Sequence, residues 1–128
     1  MYNYIYKICI SYLNSLRETT YKPLRIVDNM GEATKTLPLG QVLVTRGVDA
    51  RMKDDLGFMA HVMTCLDRHM VCDWGDLCEE DRQMNEEALD PECPERVMSV
   101  WNHQTWPTVW IITEWDRQHT TVLLPEEY

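Results

Sequence analysis

His69, Glu114, Arg117, Thr120 and Thr121 are the residues of this chain whose types together could run a reaction. A histidine and a carboxylate can divide the proton transfers of phosphodiester cleavage by a 2′-hydroxyl, while an arginine stabilises the charge that builds on phosphorus. The two threonines, with His119 beside them, would add donors at the same place. Such a cluster implies a small endoribonuclease-like enzyme of the toxin type. The competing reading is an ion pair between Glu114 and Arg117 at a strand end, and the acidic composition favours it.

Two other sets of side chains invite chemistry. His61, Cys65 and His69 recur at intervals of four on one face of an expected helix, with Cys72 and Cys78 close behind. Zinc accepts such ligands at such spacing, but the order and gaps fit no zinc module, so an exposed polar helix face is expected and no metal or cofactor. A Cys–His nucleophile drawn from Cys65 or Cys72 with His69 has nothing to activate its thiol, and a cysteine in a helix is usually a small hydrophobe.

The remaining possibility is a surface. Asp73, Asp76, Glu79, Glu80, Asp81, Glu86 and Glu87 surround Trp74. Negative charge around an aromatic anchor would suit a basic channel built for nucleic acid. The bland alternative makes Trp74 a core plug under a solvated acidic helix.

These groups must be positioned by one compact domain: 128 residues, 45% hydrophobic and 26% charged, suffice for a single core. The net charge of −9 argues against direct nucleic-acid binding. Its distribution is uneven, with eight Lys/Arg against four Asp/Glu from Met1 to Lys53, and three against eleven from Asp67 to Arg96. Five cysteines, without a secretory signal before them or a long apolar span, suggest a reduced, cytoplasmic protein away from the membrane.

Residues 1–36 read as an N-terminal extension and linker. Tyr2–Arg17 suits an amphipathic helix or a strand equally. Glu18–Thr36 is aperiodic, and Met30-Gly31 within it is a candidate internal start. Residues 37–128 form the expected domain. Gln41–Thr45 is a strand, and Asp49 caps a helix running to Met70, whose Met52, Leu56, Met59, Met63, Leu66 and Met70 make one core-facing stripe. Asp76 and Glu79 begin a second helix that reaches Leu89 before Pro91 and Pro94. Val97–Trp101, Thr108–Thr113 and Thr120–Leu124 are strands, the first two joined by a hairpin loop. The expected fold is α+β, two central helices on a small, mainly antiparallel sheet.

Several short segments resemble a family of small, functionally uncharacterised bacterial proteins that recur on plasmids and other mobile elements. They are Leu39-Gly40-Gln41, Thr45-Arg46-Gly47, Arg68-His69, Asp73-Trp74-Gly75-Asp76-Leu77, Glu80-Asp81, Asn85, and Trp110 through Tyr128. The resemblance covers Leu37 to Tyr128. Cys72 stands where that family has glycine, and Gln118 where serine is usual. The family brings a genetic setting and no activity. Joined to the acidity, it implies a mobile-element interaction protein of the anti-defence kind, an anti-CRISPR or anti-restriction inhibitor. Its partner would be a basic, nucleic-acid-handling protein.

Overall fold

The computed structural model describes the backbone of Ile5–Tyr6 and residues 35–128. Apart from Ile5–Tyr6, Lys35 and Thr36, the expectations for the first 36 residues fall outside the described set. The fold is α+β. Strands β1 (Ile5–Tyr6), β2 (Gln41–Thr45), β3 (Val97–Trp101), β4 (Val109–Thr113) and β5 (His119–Leu123) make one sheet in the order β1-β2-β5-β4-β3. Only β2 and β5 run parallel, with Val42 opposite Thr120 and Val44 opposite Val122; the other neighbours are antiparallel. Helices α1 (Arg46–Asp54), α2 (Leu56–Met70) and α3 (Glu79–Ala88) separate β2 from β3, and a short 3-10 turn, Pro125–Glu127, follows β5.

Alternation decides which strand residues enter the core. Val42 and Val44 of β2, Val97 and Trp101 of β3, Val109 and Ile111 of β4 and Val122 of β5 join Val48, Met52, Phe58, Val62 and Leu66 in one buried cluster. Strands β2 to β5 match their expected positions to within a residue at each end.

The helices differ from expectation. Asp49 is not a cap; it lies in the first turn of α1 and pairs with Lys53 at 2.7 Å. The expected single helix is broken at Asp55, which is extended and accepts the amides of Gly57 and Phe58 at 2.8 and 3.1 Å, starting α2 afresh. The break resets the helical phase. On α2 the buried stripe is therefore Phe58, Val62, Cys65, Leu66 and His69, while Met59, Met63 and Met70 flank it half-buried and Leu56 is 75% exposed. Cys65 and His69, expected on a solvated face, are core residues for the same reason. Similarly α3 begins at Glu79 with Cys78 as its cap, leaving Asp76 to accept the amide of Asn102 at 2.8 Å.

Strand β3 lies at the sheet edge, where unpaired backbone invites association. Here the edge is occupied. Asn85 of α3 donates to the Met98 carbonyl and accepts the Met98 amide at 2.7 and 3.2 Å, as a neighbouring strand would. The Asp73–Asp76 segment completes the cover, with Val100 N–H donating to the Trp74 carbonyl and Asp76 N–H to the Val100 carbonyl. Gly75 makes that approach possible: its φ is +67°, and a Cβ there would stand 2.1 Å from the Val100 oxygen.

Candidate functional site

His69 is wholly buried, its Nδ1 2.7 Å from the Ser99 hydroxyl and its Nε2 2.9 Å from that of Thr113. The direction of these bonds follows from their far end. Thr120 donates its only hydroxyl proton to the Leu39 carbonyl at 2.6 Å, so Thr113 donates to Thr120 across 2.7 Å. Thr113 can then only accept from His69, whose proton sits on Nε2. At the other end the Trp101 indole donates to Ser99 at 2.7 Å, and Ser99 donates to Nδ1. A one-way chain of donors thus runs from Trp101 to Leu39 through a neutral imidazole. Burial first, then the Arg117 guanidinium, pushes the pKa of His69 down from 6.5 to about 3.

Of the other residues expected to act with His69, only Thr120 joins this chain. Thr121 is buried on the opposite side of β5, which alternation requires. Arg117 forms no ion pair with the Glu114 side chain; its guanidinium donates to the carbonyls of Ala88 at 2.8 Å, Glu95 at 2.7 Å and Glu114 at 3.1 Å. The end of α3 leaves carbonyls without helical partners, and a guanidinium with several donors satisfies them. Glu114 is half-buried and His119 exposed at the start of β5. The five residues do not form an open reactive cluster.

Ser99 and Thr113, the direct partners of His69, were not singled out from the sequence as its partners. A signal existed: Ser99 lies between Val97 and Trp101 on the inward face of β3, and an inward hydroxyl requires a buried partner.

Other motif residues also tie segments together. Glu127 accepts the Thr45 hydroxyl at 2.6 Å and the Gly47 amide at 2.9 Å, placing a carboxylate at the N-terminus of α1. Cys72 ends α2. Asp73 N–H bonds the Arg68 carbonyl and Cys72 N–H the His69 carbonyl, a Schellman turn whose left-handed position, φ 62°, is held by Cys72. Glycine adopts that conformation without a Cβ clash. Gly40, with φ +60°, lies against the backbone of Gln118.

The acidic residues divide into two groups. Trp74 is 2% exposed and stacks edge-on against His69 with ring centres 5.5 Å apart, so it plugs the core and offers no surface anchor. Its indole donates to Glu86 at 3.0 Å, and Glu86 also meets Lys35, which holds its carboxyl below the usual range. Asp73 pairs with Arg68 at 2.8 Å and accepts the Gly75 amide. Glu79, Glu80, Asp81 and Glu87, by contrast, stand exposed along α3.

The thiols and remaining histidines are placed as follows. Cys65, Cys72, Cys78 and Cys93 are free, and burial pushes the Cys65 thiol up to about 12 and raises that of Cys72. His61 lies against His103 and Trp106, with ring centres 4.9 and 5.2 Å away, and Trp106 is anchored to Asp55 at 2.9 Å. Among the described residues, no three His, Cys, Asp or Glu side chains converge to hold a metal ion, and no helix is long and apolar enough to cross a membrane.

No protein-family profile matches the chain, and comparison with curated proteins and with solved structures returns no match.

Proposed function

We propose that this chain is a cytoplasmic, mobile-element-borne interaction protein of the anti-defence kind, working without a cofactor as an inhibitor of a basic, nucleic-acid-handling protein. The observation that carries this reading is the exposed carboxylate row Glu79, Glu80, Asp81 and Glu87 on α3, in a chain of net charge −9. Like charges in a row cost stability through repulsion and are useful against a surface of opposite sign, where they steer encounter and select the partner. The motif residues His69, Trp74, Gly75, Asn85, Arg117 and Glu127 are engaged inside the fold, which leaves recognition to this outer face. Geometry disfavours the ribonuclease-like alternative, because both nitrogens of His69 are engaged and neither faces solvent.

The test is a plasmid-challenge assay in bacteria carrying a CRISPR or restriction system, with the full chain expressed. Wild type should raise transformation, and the triple reversal Glu79→Lys, Glu80→Lys, Asp81→Lys should return it to baseline while melting normally. Glu114→Gln should behave as wild type. A folded triple-reversal variant that still protects fully sinks the proposal, and loss of protection in folded Glu114→Gln would favour the enzyme.

A further inference from the structure

We propose that the groove between α3 and β3 receives a basic amphipathic helix of the partner protein, seating an apolar side chain on Met84 and Met98 while lysines or arginines meet its acidic lining. The inference deepens the function proposed above and rests on it. The groove holds about 670 Å³ and is lined by the apolar Leu77, Met84 and Met98 together with the acidic Asp81, Glu87, Asp90 and Glu95. Among the described residues its lining has one cation, Arg96, which donates to the Tyr128 hydroxyl at 2.8 Å. Met84 is 66% exposed although it shares a side of α3 with buried Ala88.

Three features select the occupant. Among the described residues of the lining, four carboxylates against one arginine repel phosphate and attract a cationic segment. Methionine in the lining adapts to apolar side chains of varied shape. The Met98 amide and carbonyl are already bonded to Asn85, so an extended peptide cannot add to β3 there as a further strand. Recognition must be led by side chains, and a helix laid into the groove presents apolar and basic side chains together.

The probe is a dye-labelled helix of about 14 residues made only of leucine and lysine. It is titrated into the full chain at about 0.15 M salt, where distant charges are screened. Two controls replace its leucines by serine or its lysines by glutamate. The Leu/Lys helix should bind, and both controls should bind at least about tenfold more weakly. Met84→Asp and Glu87→Lys, both at exposed positions, should each weaken binding about tenfold, while Asp54→Lys on α1 should not. Failure of the Leu/Lys helix to bind, equal binding of the serine control, or indifference to Met84→Asp and Glu87→Lys overturns the groove. The challenge assay separates the two proposals. Protection lost in the triple reversal but kept in Met84→Asp overturns the groove alone; a groove that binds the helix while the triple reversal protects fully overturns the partner reading alone.

Discussion

His69 Nε2 donates to Thr113 across 2.9 Å, and because Thr113 must pass its own proton to Thr120, Nε2 keeps its proton and a further one could enter the ring only at Nδ1. A second ring proton would have to point at Ser99, whose own hydroxyl proton already points at Nδ1. The native state therefore refuses a proton that the unfolded chain binds at pH 6.5. Stability from this group is fully present above pH 6.5 and is lost as pH falls toward the folded value of about 3. The slope is at most about 1.4 kcal/mol per pH unit. Urea melts at pH 7 and pH 5 should show wild type losing up to about 2 kcal/mol more than His69→Gln over that interval. Parallel losses in the two proteins would reject the neutral imidazole.

Glu127 should behave as a helix cap supplied from the far end of the domain. Replacing it by alanine leaves the Gly47 amide and the Thr45 hydroxyl without their carboxylate, a loss of about 1–3 kcal/mol. Glu127→Gln, which keeps an acceptor but not the charge, should fall between the two in a denaturant titration. An alanine variant as stable as wild type would show that the contact contributes nothing.

Cys72 gives a prediction of opposite sign. A residue with a Cβ at φ 62° carries roughly 1–2 kcal/mol of strain that glycine does not. Cys72→Gly should therefore melt higher than Cys72→Ala, by about 1 kcal/mol in stability, since alanine keeps the strain and loses the thiol. Equal stability of the two variants would rule out strain at this turn.

On α2 the re-phased stripe is tested by truncation. Phe58, 1% exposed, should lose about 3–5 kcal/mol on replacement by alanine. Leu56→Ala, at a position 75% exposed, should stay within about 0.5 kcal/mol of wild type. Equal urea midpoints for the two would return the stripe to its single-helix phase.

Val97–Trp101 was legible because its alternation is sharply bounded, by Pro94 before it and the polar loop at Asn102 after it. The phase of α2 was not, because the methionine spacing runs unbroken across Asp55 and only the backbone there reveals a new helix start. The site divided similarly. His69 could be chosen as chemically capable from its type, but its partners lie 30 and 44 residues away on two strands, a pairing that no local pattern encodes. Nor does a run of acids distinguish Asp73 and Glu86, bonded inward, from Glu79 and Glu87, which remain outside.

The parallel pairing of β2 with β5 also sets a timetable for synthesis. Val44 leaves the ribosome 78 residues (122 − 44) ahead of its partner Val122, an interval of roughly 4–16 s at about 5–20 residues per second. Throughout it, Val42 and Val44 lack the strand beside which they are finally buried. Nascent chains stalled before β5 therefore display a sticky half-sheet. Slowing translation before that point should increase chaperone demand and aggregation, whereas a pause after it should not.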